Sequence, residues 1–194
     1  DIIGHANYLD DEAIEMLRSV RDRVFVGPAI AWEVQFIANC EKMGIGRETV
    51  RARGYDREVE ATVKSVRRLR DAGVRVLIGG DYGLNITPHG TYAKDLQYFV
   101  DLFGMSPAEA LLCATRDGGA AADPTGMVGT LEAGKYADLV VVDGDPTQDV
   151  QLLQDHSRIV GVMKGGRMYQ NLVDKDPFKV EDIGHWMASV LLDD

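Results

Sequence analysis

Short uninterrupted apolar runs alternate along this chain with stretches whose apolar residues recur every three or four positions. Asp1-Ile2-Ile3-Gly4-His5 reads as the end of a strand. Leu9-Asp10-Asp11-Glu12 then marks a helix start, with Asp10 or Asp11 as N-cap and acids in the first turn. Ile14, Leu17 and Val20 follow at helical spacing. Residues 23–30 are continuously apolar after Arg23, which predicts a strand covered on both faces. Residues 38–56 mix charges and glycines and are predicted as a long excursion. Val59, Val63, Val66 and Leu69 form the stripe of the next helix, with Arg67-Arg68-Leu69-Arg70 read as its solvated side and Gly73 as its stop. Residues 74–80 make a third apolar strand. Strand, helix, strand, helix, strand is the signature of parallel βαβ units.

Two further helices are predicted. Residues 93–103 place Leu96, Phe99, Val100 and Phe103 on one face and end at Gly104. Residues 106–116 open on Ser106-Pro107-Ala108-Glu109: an N-cap serine, a proline at the first helical position and the glutamate of a capping box. Gly118-Gly119 is the expected stop. From Asp123 the pattern changes. Residues 126–135 are turn-rich, 137–143 read as a strand, and the apolar stretches 159–163 and 167–169 flank Lys164-Gly165-Gly166, a hairpin signal. The expected organisation is a main α/β part over 1–122, a small β segment over 123–170, and a tail over 171–194 that is partly helical around 183–192.

Composition narrows the function classes. The 194 residues carry a formal net charge of -10 and are 45% hydrophobic, as expected of a soluble globular protein with one domain and an appendage. The acidic balance argues against nucleic acid, where affinity comes from neutralising phosphates. No apolar run approaches the ~20 residues of a membrane helix, and no signal-peptide pattern opens the chain. Cys40 and Cys113 lack metal-like spacing and are expected to be reduced and buried. A cytoplasmic location is the expectation.

The chemistry concentrates at two strand ends. His5 closes the first strand and Asp81 closes the third. In a barrel of parallel strands, the carboxyl ends of the strands build the active-site face. One imidazole and one carboxylate there, with small glycines beside them, point to metal-assisted hydrolysis. Two such groups are too few to hold a catalytic metal. Because the chain opens inside a strand, it reads as the C-terminal piece of something larger.

Several stretches carry a resemblance to the amidohydrolase superfamily, and within it to the imidazolonepropionase-like hydrolases of cyclic amides, carbamates, ureas and dipeptides. Ile3-Gly4-His5-Ala6-Asn7-Tyr8-Leu9-Asp10 resembles that family's sixth-strand histidine motif, and Gly79-Gly80-Asp81-Tyr82-Gly83 its eighth-strand Gly-x-Asp-x-Gly. Pro88-His89-Gly90, Met105-Ser106-Pro107-Ala108-Glu109-Ala110-Leu111 and Gly129-Thr130-Leu131-Glu132-Ala133-Gly134-Lys135 resemble the segments that follow. The resemblance implies the C-terminal part (strands six to eight) of a (β/α)8 TIM-type barrel plus part of a small β-sandwich domain. It implies one or two divalent metal ions, usually zinc (Zn2+), with Asp81 as ligand and proton acceptor and His5 as ligand of a second metal or partner of the substrate. The family's first-strand His-x-His pair, fourth-strand lysine and fifth-strand histidine have no counterpart in this chain.

The implied reaction is hydrolysis of a C–N bond in an amide, urea or carbamate-like small molecule. The remaining N-terminal part of the barrel is an implied partner, and a homo-oligomer is left open. His89 is the expected pocket residue of the loop after Asp81, and Tyr82, Tyr92 and Trp32 are candidate walls. Glu33 is read as solvated, Asp138 as ordering the turn before its strand, and His156 and His185 as structural or surface residues. Two alternatives stay open: a prolidase-type dipeptidase, and a metal-free structural or regulatory homologue that keeps the barrel for assembly.

Overall fold

A computed structural model of the protein describes residues 1–171. Strands β1 (Ile2–Gly4), β2 (Phe25–Gly27) and β3 (Arg75–Val76) lie in that order in a parallel sheet. Helix α1 (Asp11–Ser19) connects the first two; α2 (Ile30–Asn39), α3 (Arg47–Arg53) and α4 (Tyr55–Asp71) connect the second and third. The regular ladder is shorter than the apolar runs. The expected strand over 74–80 pairs only at Arg75–Val76 and turns away before Asp81, because Gly79 and Gly80 take positive φ. One further ladder bond forms at each of two exits. The His5 N–H donates to the Gly27 carbonyl and the Leu77 N–H to the Val26 carbonyl, both at 2.8 Å.

Local chemistry explains the boundaries. Asp10 caps α1, its side chain accepting from the Ala13 N–H at 2.8 Å. Val59, Val63, Val66 and Leu69 turn into the core with Val26, Val76, Phe99 and Phe103, and Gly73, at φ +76°, ends that helix. The second strand, however, stops before Ile30. Pro28 brings no N–H to the ladder, Ala29 turns the chain at φ +51°, and Ile30 begins α2. The expected excursion over 38–56 is therefore largely helical.

Helix α5 (Lys94–Asp101) precedes α6 (Pro107–Leu112), whose capping box is complete. The Ser106 hydroxyl accepts from the Glu109 N–H at 3.2 Å, and Glu109 accepts from the Ser106 N–H at 2.7 Å. The glycine pair does not stop this helix. It continues through a wider turn (Cys113–Asp117) into α7 (Gly118–Ala122). Gly119 serves packing instead: a Cβ there would lie 2.5 Å from the Gly129 Cα. Gly119→Ala should destabilise the protein by about 1–3 kcal/mol through this backbone collision, measured as a lowered denaturant midpoint.

The basic run on α4 also differs from its solvated reading. Arg67 donates to the Leu102 carbonyl at 2.7 Å, Arg68 to the Leu9 carbonyl at 2.9 Å and Arg70 to the Phe103 carbonyl at 2.8 Å. Arg68 also pairs with Asp11, and Arg70 with Glu109. Leu69 within the run is fully buried. These arginines tie α4 to the segments on either side of it.

Strands β4 (Leu139–Val142), β5 (Ile159–Lys164) and β6 (Arg167–Asn171) form an antiparallel sheet in chain order. The β5–β6 turn places Gly165 at φ +55° and Gly166 at φ +78°, the left-handed pair a two-residue hairpin of this type requires. Asp138 acts on this hairpin rather than on the turn before its own strand, accepting from the Gly165 N–H at 2.6 Å. The turn Val150–Gln154 docks against α5: Val150 enters the main core and Gln154 donates to Gln97 at 3.0 Å. Cys40 and Cys113 are free and buried, and burial pushes the Cys113 thiol up to about 11. His156 is exposed. No helix among the described residues is long and apolar enough to cross a membrane. His185 and the helix expected around 183–192 lie outside the described residues.

Candidate active site

Parallel pairing brings the carboxyl ends of β1, β2 and β3 to one edge, and the segment leaving each strand carries a residue other than glycine in the left-handed region. His5 has φ +64°, Ala29 +51° and Asp81 +49°. Such residues cost of order 1 kcal/mol or more each, and they concentrate where a side chain must be aimed. Here the aim is mutual: His5 Nε2 lies 3.9 Å from Asp81 Oδ2, with the two side chains 56% and 43% exposed. An exposed pair at this distance contributes little stability. Its separation is within what two ligands at about 2.0–2.2 Å from one ion span. No third histidine, cysteine, aspartate or glutamate joins them in a metal-holding group among the described residues. The imidazole and carboxylate fit as part of a ligand set that needs donors from elsewhere.

The loop after Asp81 is braced by Thr87, which is buried. Its hydroxyl donates to the Asp81 carbonyl at 2.7 Å, and its carbonyl accepts from the Gly83 N–H at 2.8 Å. His89 and Tyr92 join through a 2.6 Å hydrogen bond between Nδ1 and the phenol. The His89 Nε2 fills the space a Gly83 side chain would take, 2.8 Å from an added Cβ. Tyr82 meets Tyr92 edge to face at 4.8 Å. Tyr82, Tyr92 and His89 thus form one exposed-to-buried aromatic group in the loop that Asp81 opens. The Tyr82 hydroxyl itself is buried, beside Asp95, and burial pushes its pKa up. Trp32 is placed differently. It stacks on Phe36 at 5.2 Å and meets Tyr55 at 6.3 Å, in a separate apolar cluster to which Ile86 of the Asp81 loop also packs.

Glu33 is not solvated. It is 3% exposed and belongs to a buried polar group beneath the His5–Asp81 edge. Asn7 Nδ2 donates to Glu33 at 2.9 Å and to Glu58 at 2.8 Å. The Thr62 hydroxyl lies 3.1 and 3.3 Å from the two Glu33 oxygens and 2.9 Å from the Glu58 carbonyl. Burial raises the Glu33 pKa to about 7, helped by the charges of Glu58 and Asp81 and opposed by the Thr62 and Asn7 hydrogen bonds. A hydroxyl has one proton to give. A protonated Glu33 satisfies the count, since Thr62 then donates to the Glu58 carbonyl and accepts from the carboxylic acid. Ser65 completes the tie, donating to the Asn7 carbonyl at 2.8 Å and accepting from the Leu9 N–H at 3.1 Å. The segment that carries His5 is thereby fastened to α2 and α4.

The sequence held one signal for Glu33. Once α2 is recognised as a helix, Glu33 falls on the same face as Ile30 and Ile37. Asp95 was missed in the same way: it sits one turn before Phe99 on the buried face of α5 and is 1% exposed. Burial raises its pKa to about 6 against the pull of the Gly79 N–H, the Tyr82 hydroxyl and the Ala31 N–H.

A profile of the amidohydrolase family matches residues 9–169. The chain belongs to that family. It is 26% identical to the ochratoxinase of Aspergillus niger over 185 residues, covering 95% of this chain and 35% of the relative. It is 32% identical to the imidazolonepropionase of Geobacillus kaustophilus over 105 residues, covering 54% of this chain and 25% of the relative. Among solved structures, a putative prolidase from Bifidobacterium longum superposes with TM-score 0.76 at 27% identity, over 97% of this chain and 46% of that one. A Xaa-Pro dipeptidase with bound methionine in the active site gives 0.71 at 28%, over 88% and 40%. The fold is that shared by amidohydrolase TIM-barrel proteins, and the chain spans about a third of the length of the ochratoxinase it matches.

Proposed function

We propose that this chain supplies strands six to eight of a metal-dependent amidohydrolase barrel (residues 1–122), followed by part of its small β-sandwich domain (123–170) and a tail (171–194). The whole enzyme hydrolyses a C–N bond in an amide, urea or carbamate-like small molecule. The observation that carries this reading is the convergence of His5 and Asp81 at the carboxyl ends of β1 and β3. Zinc, completed by ligands from the N-terminal part of the barrel, supplies Lewis acidity and lowers the pKa of water when bound. This chain's own residues handle orientation and protons. Asp81, a ligand through one carboxylate oxygen, accepts the proton of the attacking water and returns it to the departing nitrogen, the task of a positioned carboxylate in general acid–base catalysis. His5 holds the metal or the developing oxyanion. The His89–Tyr92 pair offers an oriented imidazole to the substrate, with Tyr82 behind it.

The test is elemental analysis of the full-length enzyme together with hydrolysis of a panel of N-acyl amides, ureas and carbamates. One or two zinc ions per chain are expected, with activity lost on chelation and restored by zinc. Absence of metal from active enzyme would overturn the mechanism. Absence of both metal and activity would favour a structural homologue. Prolidase-type dipeptide cleavage is a second reading, favoured by the likeness to the putative prolidase and the Xaa-Pro dipeptidase. Faster turnover of Xaa-Pro dipeptides than of the non-peptide panel would decide for it.

A further inference from the structure

The turn that presents Asp81 has three consecutive residues in the positive-φ region: Gly79 at +108°, Gly80 at +129° and Asp81 at +49°. One side of this turn is fixed by contact. A Cβ on Gly80 would lie 2.7 Å from the Ala29 Cβ, so the exits of β2 and β3 are pressed together there. The other side is fixed by a carboxylate. Asp95 Oδ2 accepts from the Gly79 N–H at 2.9 Å. Its second oxygen, Oδ1, and the nearby Tyr82 hydroxyl are both buried, and neither completes a well-formed hydrogen bond among the described residues.

A buried carboxylate of this kind is costly. No lysine, arginine or histidine forms an ion pair with Asp95 among the described residues. An acid in the first turn of a helix ordinarily serves that helix's own N-terminus. Asp95 reaches instead to a backbone N–H sixteen positions earlier. A buried carboxylate is retained at a loss to stability, and what its Oδ2 secures is the backbone two residues before Asp81.

We propose that Asp95 is a positioning residue for Asp81: its carboxylate locks the Gly79–Gly80 turn and so fixes the direction from which Asp81 reaches its metal. This rests on the metal-ligand reading of Asp81 given above. Asp95 touches neither substrate nor metal. It acts by restricting a glycine pair that would otherwise sample many conformations, so that the ligand's orientation is settled before the ion arrives.

The test compares Asp95→Leu, which keeps the branched skeleton but offers no acceptor, with Asp95→Asn, whose amide oxygen still accepts from Gly79. Both are made in the full-length protein. Hydrogen–deuterium exchange of the peptide over residues 78–83 reads the lock, and zinc retention against a competing chelator reads its consequence. Asp95→Leu should speed exchange in that peptide by about tenfold and weaken zinc retention by a similar factor, without faster exchange in α4. Asp95→Asn should keep both at the wild-type level. Wild-type exchange in Asp95→Leu would overturn the proposal, and so would Asp95→Asn behaving like Asp95→Leu. If Asp95→Leu does not fold, Asp95→Ala takes its place, and the same outcomes decide. A wild-type protein that retains no zinc would defeat the metal reading of Asp81, while the exchange comparison would still decide whether Asp95 holds the turn.

Discussion

Asp81→Asn in the full-length enzyme is expected, on the proposed function, to lower kcat/KM for C–N hydrolysis by about 10²–10⁴. The substitution keeps the shape of the side chain and removes its charge and its capacity to take up a proton. It is also the cleaner choice on conformational grounds. Asp81 sits at φ +49°, a region asparagine tolerates, whereas alanine there costs roughly 1–2 kcal/mol of backbone strain. Loss of activity in Asp81→Ala alone could come from a turn that no longer forms; loss in Asp81→Asn points to the carboxylate. His5→Asn is the companion, because asparagine tolerates the φ +64° of that position equally. Initial rates should be read beside zinc content, since on the proposed function Asp81 is both ligand and proton acceptor and its loss lowers both. Asp81→Asn enzyme with wild-type rates would remove Asp81 from the mechanism.

Glu33→Gln should change the pH dependence of stability more than any other single substitution at this site. Burial holds the Glu33 pKa at about 7, against an ordinary value of 4.5. Between those values the folded protein keeps a proton that the unfolded chain has released. The contribution is therefore complete below about pH 4.5, declines as the pH rises, and is lost above 7. Its full size is about 3 kcal/mol. Asp95 works in the same direction over a lower window, from 3.8 to about 6. Glutamine cannot ionise, and its amide oxygen still accepts from Asn7. Thermal melts of the variant and the wild type should coincide near pH 5. By pH 8 the variant should melt higher by roughly 5–10 °C, from about 2–4 °C per kcal/mol in a chain of this size. A wild-type melting point that stays level from pH 5 to 8 would mean that Glu33 ionises freely and is not held neutral.

A neutral Glu33 also fits the site above it. Asn7 stands two residues beyond His5 and donates to both Glu33 and Glu58. With both carboxylates ionised, two negative charges would share one amide group beneath a third at Asp81. Protonation of Glu33 removes one of them. The segment bearing His5 is then held by hydrogen bonds without adding to the negative field around Asp81.

The periodicity of the chain determined the elements whose causes are local. Apolar stripes, the Asp10 cap, the Ser106–Glu109 capping box and the Gly165-Gly166 turn each act within a few residues, and each forms as read. The alternation of apolar strands with amphipathic helices fixed the parallel arrangement of β1, β2 and β3 and placed His5 directly after its strand. Asp81, in contrast, follows β3 only after a turn through Gly79 and Gly80. Where local signals are ambiguous, packing decided. The apolar run through Ile30 suits a buried strand and a buried helix equally, and Pro28 with Ala29 resolved it as a helix. Gly118-Gly119 reads as a helix stop, but Gly119 is a glycine because Gly129 approaches it. Glu33 and Asp95 look like surface acids by residue type, although each shares a helical face with apolar neighbours, Glu33 with Ile30 and Ile37 and Asp95 with Phe99. Only the tertiary structure turns them inward, brings His5 within 3.9 Å of Asp81, and sets a carboxylate beneath the Gly79–Gly80 turn. These contacts join segments far apart in the chain, and their geometry exists only once the sheet has paired and the helices have closed over it.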